Sequence, residues 1–349
     1  MSGYATQAAT AGTASEADNR LQWTRSAEPH YEVYYVTFNH RPTQTGFWIR
    51  YTLESPTHEP PYAELWFAAF DARDPDRNVA VRKRYSIADF EAQGSPFSLR
   101  IGEAVFRHDG AVGAIRGAGH DVSWDLAWLA AERTHRWLPD VIYRTSFADT
   151  RVLSPNLDVP LRGRVVVDGR EFLLEGEPGG QTHIWGRKHA FTHAWAHVNA
   201  FEGKRGAALE SITVRLKRGG IVLPPLTLLT LYLDGEELRF TELADTLLTR
   251  GRYATCRYEF HARGKTVRLH GEFTCRPQDM ILAEYVDPDG EKLFCQNTEV
   301  GDASVRVWRR SSRLSRWEEQ AVLRAPKTAH FELTGRTPDP AIAARHLRA

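Results

Sequence analysis

The sequence predicts an all-β fold made of two tandem antiparallel β-barrels with a few short helices. Three observations lead to this prediction. Short runs of alternating, β-branched or aromatic residues recur along the chain, as is typical of strands. Four Asp-Gly pairs stand between such runs, where hairpins turn. Roughly 14–18 strand-like segments in 349 residues are also too many for one barrel of about eight strands.

The clearest strands are rich in aromatic and β-branched residues, which suit a pleated, half-buried surface. They are Tyr31–Phe38, Gly46–Leu53, Ala63–Phe70 and Ser211–Lys217. Two hairpins are expected at Asp168-Gly169 and Asp234-Gly235, because Asp-Gly favours a type I′ turn and strand-like residues flank both pairs.

The order of these elements divides the chain into two barrels between two tails. Residues 1–20 are rich in Ala, Thr, Ser and Gly and lack a hydrophobic period, which predicts a disordered tail. We expect the first barrel over residues 21–180 and the second over residues 181–335. The end of the chain, residues 336–349, is rich in Pro, Arg and Ala and is expected to be peripheral.

Composition argues against several classes of function. With 45 basic and 44 acidic residues, the chain lacks the one-signed field that binds nucleic acid or an anionic membrane. No apolar run reaches about 18 residues, so no integral membrane segment is expected. The first residues do not resemble a secretory signal. Three cysteines without a CxxC pair favour a reducing cytoplasm over a disulfide framework or a cysteine zinc site.

The segment His183–His197 carries most of the functional information, since it holds four of the 14 histidines in fifteen residues. An even spread would place fewer than one histidine there. As a strand, it would present one large, aromatic and hydrogen-bonding face and one small face. The large face consists of Phe191, His193, Trp195, His197, Asn199 and Phe201. Inside a barrel, that face would line a pocket for a small molecule.

Two other interpretations of this segment stay open. The histidines could be structural, each satisfied by a hydrogen bond. On a helix, His189, His193 and His197 would stack at i, i+4 and i+8 and could offer a metal two or three imidazoles. No carboxylate lies within the run, so the HExxH pattern of hydrolytic zinc sites is absent.

Motifs in this region resemble those of a known family. The most specific are G-x-x-x-H-x-W-G at Gly179–Gly186 and W-x-H-x-N-x-F at Trp195–Phe201. With weaker likeness elsewhere, residues 22–333 resemble a lipocalin-like double-barrel group. That group includes carotenoid 1,2-hydratases, tocopherol cyclase, AttH-like proteins and fungal lipocalin-like Diels–Alderases. The resemblance implies the fold and hydrophobic polycyclic or isoprenoid-like ligands, but no single reaction.

The resemblance and the strand pattern together give the candidate site residues. In the group, the strand entering the second barrel meets the cleft between the barrels, which implies that Trp195 lies near a ligand, together with His197 and Asn199. We take the latter two as catalytic candidates. The ligand-binding candidates are His183, Trp185, His193, Trp195, Phe201 and Trp124.

The stretch Gly119–Trp128 adds two candidate proton donors. On a strand, Asp121 and Asp125 face away from Trp124. They either form the polar side of an amphipathic strand, or one of them is an acid that burial keeps neutral for proton addition to an alkene. The cationic intermediate would then need aromatic faces around it, which the ten tryptophans could supply.

These observations predict a cofactor-independent isomerase, cyclase or hydratase. It would hold a hydrophobic, isoprenoid- or polyketide-like molecule at the barrel interface and act by shape, proton donation and hydrogen bonding. No metal or organic cofactor is expected, and the glycine-rich nucleotide motifs are absent. The alternatives are a non-catalytic carrier or sensor of a lipid-like ligand, and a metalloenzyme using the histidine cluster. Ligand identity and oligomeric state stay open.

Overall fold

A computed structural model describes residues 14–26, 28–138, 140–145 and 148–343. The first half of the chain forms one twelve-stranded antiparallel sheet, here called the first barrel. Its strands are β1 (His30–His40), β2 (Thr45–Ser55), β3 (Tyr62–Asp71), β4 (Val79–Ser86), β5 (Phe90–Gly94), β6 (Phe97–Ile101), β7 (Ala104–Arg107), β8 (Gly110–Gly117), β9 (His120–Ala127), β10 (His135–Arg136), β11 (Thr150–Val167) and β12 (Arg170–Gly186).

The first barrel curls until β4 and β8 approach each other. The strand order is β4-β3-β2-β1-β12-β11-β9-β8-β7-β6-β5, with β10 paired to β11. Gly117 of β8 faces Val81 of β4 so closely that a Cβ on the glycine would lie 3.1 Å from Val81 Cγ1. Aromatic side chains, among them Phe47, Phe67 and Trp124, fill the interior. The result is a packed core.

The second half of the chain forms a ten-stranded sheet, here called the second barrel, and a separate two-stranded sheet. The strands of these two sheets are β13 (Thr192–Val198), β14 (Ala208–Arg215), β15 (Lys217–Arg218), β16 (Ile221–Val222), β17 (Leu226–Leu233), β18 (Glu236–Phe240), β19 (Arg250–Ala254), β20 (Arg257–Arg263), β21 (Val267–Thr274), β22 (Ile281–Val286), β23 (Lys292–Arg309) and β24 (Glu318–Gly335). The small sheet pairs β15 with β16.

The second barrel curls in the same way. Its order is β18-β17-β14-β13-β24-β23-β21-β20-β19, with β22 paired to β23. Strand β19 packs across β14 and β17, because Gly251 lies directly against the side chains of Thr213 and Thr227. These two sheets confirm the predicted all-β fold of two tandem antiparallel barrels.

Helices are few and short, as expected. They are α1 (Ala14–Asp18), α2 (Asp140–Tyr143) and α3 (Leu243–Thr246), with 3-10 turns at Pro75–Arg77, Ile87–Asp89 and Pro277–Asp279. None of the helices in the described part of the chain is long and apolar enough to cross a lipid bilayer.

The predicted strands and hairpins are confirmed. The four clearest predicted strands correspond to β1, β2, β3 and β14, although β14 ends at Arg215, two residues before the predicted end at Lys217. Both central residues of the two Asp-Gly turns have positive φ, as a type I′ turn requires. The φ values are 50° and 81° at Asp168 and Gly169, and 52° and 82° at Asp234 and Gly235.

The start of the chain differs from the predicted tail. Residues 1–13 lie outside the described residues, but α1 begins at Ala14. Ser15 and Asn19 are buried, because Asn156 donates to Ser15 Oγ at 3.0 Å and Gln181 donates to Asn19 Oδ1 at 2.8 Å. Composition gave no sign of these partners, which lie far away in sequence.

The end of the chain and the boundary between the barrels also differ from expectation. Ile342 is fully buried in the core of the second barrel, so residues 336–343 are not merely peripheral. Residues 344–349 lie outside the described part. The expected boundary between residues 180 and 181 falls inside β12, and the change of sheet lies between Gly186 and Thr192.

The two barrels pack against each other through an apolar cluster, here called the barrel interface. It comprises outward-facing residues of β1, β2 and β3, residues of β13, β22 and β23, and Trp137 after β10. Its larger members are Tyr31, Tyr35, Trp48, Trp66, Phe70, Trp137, Trp195, Ile281, Tyr285 and Leu293. This packing holds β13 against the first barrel, where the candidate site lies.

Candidate active site at the barrel interface

Strand β13 has the two faces that the sequence predicts, but the faces point the other way. The small residues Ala194, Ala196 and Val198 lie inside the second barrel. The large face, with Trp195 and His197, points out of the second barrel toward the first. The expectation that the large face lines a barrel interior is therefore wrong. Aromatic residues of other strands already fill that interior, among them Phe260, Phe273 and Phe331.

His197 lies beside a buried carboxylate on the neighbouring strand. β13 and β14 place His197 directly opposite Glu210, and His197 Nδ1 lies 2.9 Å from Glu210 Oε1. The other carboxylate oxygen accepts a hydrogen bond of 2.9 Å from Trp195 Nε1. Burial raises the pKa of the Glu210 carboxyl, although His197 and Trp195 act in the opposite direction. A His–Glu pair thus sits in a nearly dry environment.

A second His–Glu pair lies next to the first. β24 places His330 opposite His197, and the two rings stack with centroids 5.6 Å apart. His330 Nδ1 forms a hydrogen bond with Glu299 Oε2 of β23. Burial raises the pKa of Glu299 well above its usual value and lowers that of His330 well below. Burial thus favours a neutral acid beside a neutral imidazole.

Several polar atoms of these pairs have no hydrogen-bond partner among the described residues. They are both ring nitrogens of His197, His330 Nε2, Glu299 Oε1 and the nearby Asn199 Oδ1; His197 Nδ1 is within ion-pair distance of Glu210 but not in hydrogen-bond geometry. An unsatisfied buried polar group costs about 1–3 kcal/mol, so such atoms need an explanation. A ligand that bonds to them is one explanation.

A narrow crevice leads to the first pair. Its lining residues are Thr37, Ser154, Leu157, Gly180, Gln181, Thr182, Trp195, His197 and Glu210. It contains about 150 Å³ of empty space, but no part is wide enough for a water molecule. Gly180 keeps the wall beside the imidazole thin, since a Cβ there would lie 3.2 Å from His197 Nε2. Four of the nine lining residues carry a hydroxyl or amide group, and Trp195 and His197 add the aromatic and hydrogen-bonding groups of the large face.

Each histidine of the His183–His197 segment has its own carboxylate, on a different strand or turn. The partner distances are 2.9 Å for His183–Glu32, 2.7 Å for His189–Asp287, 2.8 Å for His193–Glu332 and 2.9 Å for His197–Glu210. The imidazoles therefore point to four different places. In the described part of the chain, none of them belongs to a cluster with metal-ligand spacing.

Two other predicted residues lie on either side of His197 along the chain. Asn199 donates from Nδ2 to the carbonyl oxygen of Gly179 at 2.9 Å, which ties the end of β13 to β12. His193 Nε2 bonds to Glu332, and Cys295 donates to the other oxygen of that carboxylate at 3.2 Å. His193 is thus buried in the barrel interface, on the same face of β13 as His197.

The remaining ligand-binding candidates lie elsewhere. His183 and Trp185 contact each other, with ring centroids 4.7 Å apart, and His183 is enclosed within the first barrel. Trp124 is in the core of the first barrel, where its Nε1 donates to Tyr51. Phe201 is in the core of the second barrel. The structure does not bring these side chains to the crevice.

The two candidate proton donors are exposed on the outside of the first barrel. Asp121 forms an ion pair with Arg116 at 2.9 Å, and its side chain is 60% exposed. Asp125 is exposed on the same face of β9. Their amphipathic-strand interpretation is confirmed, and neither has the burial that keeps an acid neutral.

The sequence pattern missed Glu210, Glu299 and His330. All three are at most 2% exposed. The signal for Glu210 is a charged residue within a mostly apolar strand, ALESITV. Such residues are almost never buried unless they have a partner, but the partner is on another strand and the sequence does not identify it.

No protein-family model matches the chain. Two uncharacterized proteins of Mycobacterium tuberculosis, MT0513 (strain CDC 1551 / Oshkosh) and Rv0493c (strain H37Rv), are each 25% identical over 295 residues. These alignments cover 81% of this chain and 83% of each relative. Among solved structures, kievitone hydratase from Nectria haematococca aligns over 88% of both chains, with a TM-score of 0.49 and 9% identity.

A second solved structure gives the stronger fold match. It is the AttH-like protein NE1406 of Nitrosomonas europaea, which aligns with a TM-score of 0.55 at 13% identity. The match covers 91% of this chain and 98% of that one. At this identity the likeness concerns the fold alone. The chain therefore has the double-barrel fold of an AttH-like protein, in agreement with the group that its motifs resemble.

Proposed function

We propose that the protein is a cofactor-independent enzyme of the hydratase or isomerase class. It would transfer a proton to or from a small molecule at the His197–Glu210 pair. The observation that carries this proposal is a buried imidazole with one nitrogen beside a carboxylate and the other unpartnered next to a crevice. That arrangement is typical of an acid–base residue oriented by a neighbouring group.

The two residues of the pair have different roles in this proposal. His197 Nε2 is the atom that exchanges a proton with the substrate. Glu210 is a positioning residue, because it lies against Nδ1 and is itself fixed by the indole of Trp195. The same indole ring lies almost parallel to His197, at 4° and 6.3 Å between centroids. Its π face could stabilise positive charge that develops on a protonated substrate.

The neighbouring His330–Glu299 pair would supply or accept a second proton. Addition of water to a double bond, or migration of that bond, removes one proton and delivers another. The stacked rings of His197 and His330 place two imidazoles side by side. Asn199, with its unpartnered Oδ1, is a candidate hydrogen-bond acceptor for the substrate.

The crevice favours an oxygenated substrate over a purely hydrocarbon one. The hydroxyl groups of Thr37, Ser154 and Thr182 match hydroxyl or carbonyl groups on a ligand, whereas the Gln181 amide already bonds to Asn19 and Asn156. Leu157 closes one side, in a stretch of β11 where the pairing with β12 is irregular on both sides of Asn156. We propose that this stretch moves to admit an isoprenoid- or polyketide-like molecule that carries oxygen.

The experiment follows proton exchange directly. The protein is incubated in D₂O with a panel of α,β-unsaturated ketones and oxygenated terpenoid alkenes, and deuterium incorporation or water addition is measured by NMR. We expect exchange with at least one member. The substitution His197→Ala should lower its rate by about 100- to 10,000-fold, the usual contribution of a general acid or base.

The matched control is Val198→Ala, which alters the adjacent residue on the opposite, core-facing side of β13. Its exchange rate should stay within a few-fold of the wild-type rate. Equal rates in the two variants would contradict the role of His197. Native mass spectrometry of the wild-type protein provides a second check. A tightly bound molecule that is recovered unchanged and never turned over would favour the carrier.

A further inference from the structure

The outer face of the second barrel carries a cluster of metal-ligating side chains, far from the candidate active site in sequence. Glu259 and His261 lie two residues apart on β20, so both side chains leave the same face. β21 pairs antiparallel with β20 and places His270 directly opposite His261. Three ligand-type side chains therefore converge on one hairpin.

The geometry of this cluster is close to that of a metal site. Glu259 Oε1 lies 3.0 Å from both His261 Nε2 and His270 Nε2. The two imidazole rings are stacked, with centroids 4.2 Å apart and an angle of 6° between planes. One ligand atom from each residue lies within 4.8 Å of the other two. An ion at about 2.0–2.2 Å from each donor requires only small side-chain rotations.

We propose that Glu259, His261 and His270 form a site for a divalent transition-metal ion, with Zn²⁺ as the first candidate. Two imidazoles and one carboxylate suit Zn²⁺, Cu²⁺ or Ni²⁺ rather than Mg²⁺ or Ca²⁺. The side chains are between 27% and 60% exposed, so the remaining coordination positions face solvent. The site is separate from the proposed proton-transfer function and does not depend on it.

The ion would link the two strands of one hairpin. β20 contributes two ligands and β21 one, so bound metal opposes separation of the strands. Metal that binds only the folded state adds its binding free energy to the stability of that state. Occupancy of the site should therefore protect this hairpin from unfolding.

Neighbouring cations moderate the affinity. Arg257 Nη2 lies 3.6 Å from Glu259 Oε2 and 2.8 Å from Glu272 Oε1. Arg306 is opposite His270 on β23 and pairs with Glu319 at 3.4 Å. Both arginines have carboxylate partners, so their charge is partly neutralised. Because a positive charge beside the site repels a metal cation, removing Arg257 should strengthen metal binding.

The test uses the full-length protein without an affinity tag, titrated with Zn²⁺ by calorimetry and with Co²⁺ by visible absorption. We expect one equivalent to bind in each titration. The substitutions His270→Gln and Glu259→Gln should each weaken binding by about tenfold or more. The matched control is His120→Gln, a half-buried strand histidine of the first barrel with its own carboxylate partner, Asp168. It should bind Zn²⁺ with unchanged affinity.

Two results would overturn the proposal. One is unchanged affinity in both ligand variants, with circular dichroism showing that they are folded. The other is a sulfur-to-cobalt charge-transfer band that Cys256→Ser abolishes, since Cys256 and Cys275 lie together at the end of the same hairpin. A thermal-unfolding scan adds a readout that needs no spectroscopic ion. Zn²⁺ should raise the midpoint of the wild-type protein and of His120→Gln but not of His270→Gln.

Discussion

Glu32 is the most heavily bonded buried carboxylate in the first barrel. It accepts hydrogen bonds from the backbone N–H groups of Gln22 and Trp23 at 2.8 Å and 3.0 Å, and from the Tyr34 hydroxyl at 2.7 Å. Ring nitrogens of His30 and His183 each lie 2.9 Å from it. Burial alone would raise the pKa of Glu32, but the bonds to the two histidines lower it to about 2.

This lowered pKa predicts an acid-labile contribution to stability. The usual value is 4.5, so the contribution is fully present above pH 4.5 and is lost as the pH falls toward 2. A difference of about 2.5 units corresponds to about 3 kcal/mol. We expect Glu32→Gln to lower the free energy of unfolding by about 3 kcal/mol at pH 7, measured by urea denaturation.

The acid dependence distinguishes this effect from simple loss of packing. Between pH 4.5 and pH 2, the Glu32→Gln variant should lose less stability than the wild-type protein does. The control is Glu175→Gln, an exposed carboxylate on β12. Its unfolding curve should match the wild type at both pH values, and a Glu32→Gln variant with unchanged stability would refute the assignment.

At the scale of elements, β2 of the first barrel lies directly against β23 of the second. Their closest approach is at Gly46, where a Cβ atom would lie 2.5 Å from both the carbonyl oxygen and the Cβ of Glu299. Asn39 of β1 reinforces this contact by donating from Nδ2 to the same carbonyl at 2.7 Å. The first barrel thus fixes the backbone of Glu299, which belongs to the second His–Glu pair.

We therefore expect Gly46→Ala to disturb both stability and the candidate site. Forcing one methyl group into this contact should cost about 1–3 kcal/mol, because both backbones are held by strand pairing. The measurement is the free energy of unfolding in urea, together with the proton-exchange rate. Gly94→Ala is the control, since no other atom lies within 4 Å of its Cβ position. Equal stability of the two variants would mean that the strands can move apart freely.

At the scale of the whole molecule, the barrel interface joins the two sheets into one packed unit. Arg50 of β2 is buried there, with its guanidinium 4.3 Å from the ring centroid of Tyr285 and 5.1 Å from that of Trp66. Tyr285 and Trp66 also contact each other edge to face. Separating one barrel from the other would remove aromatic rings from this buried cation, and that separation costs free energy.

This packing predicts that the two barrels unfold together. Seven of the ten tryptophans lie before residue 187, so tryptophan fluorescence reports mainly on the first barrel. Far-UV circular dichroism reports on both sheets. We expect the two signals to give the same urea midpoint in a single transition. Separate midpoints would show that the interface does not couple the barrels.

The sequence correctly predicted the fold class and several of its strands. Alternation and Asp-Gly turns are local properties, and local rules of backbone conformation were enough to predict β1, β2, β3 and two hairpins. The strand character of β13 and the pairing of a large face with a small one were also evident. The sequence did not show which face of β13 points into the barrel, because a strand with a period of two residues fits either orientation until its neighbours are known.

The candidate site was predictable only in part. His197, Trp195 and Asn199 stood out because they share one face of a strand and a motif. Glu210, Glu299 and His330 did not, because a buried charge is intelligible only beside its partner on another strand. Composition determined the balance of charge, and local pattern determined the strands. Tertiary structure alone decided which carboxylate meets each histidine of the His183–His197 segment, because those contacts join residues from 13 to more than 150 positions apart.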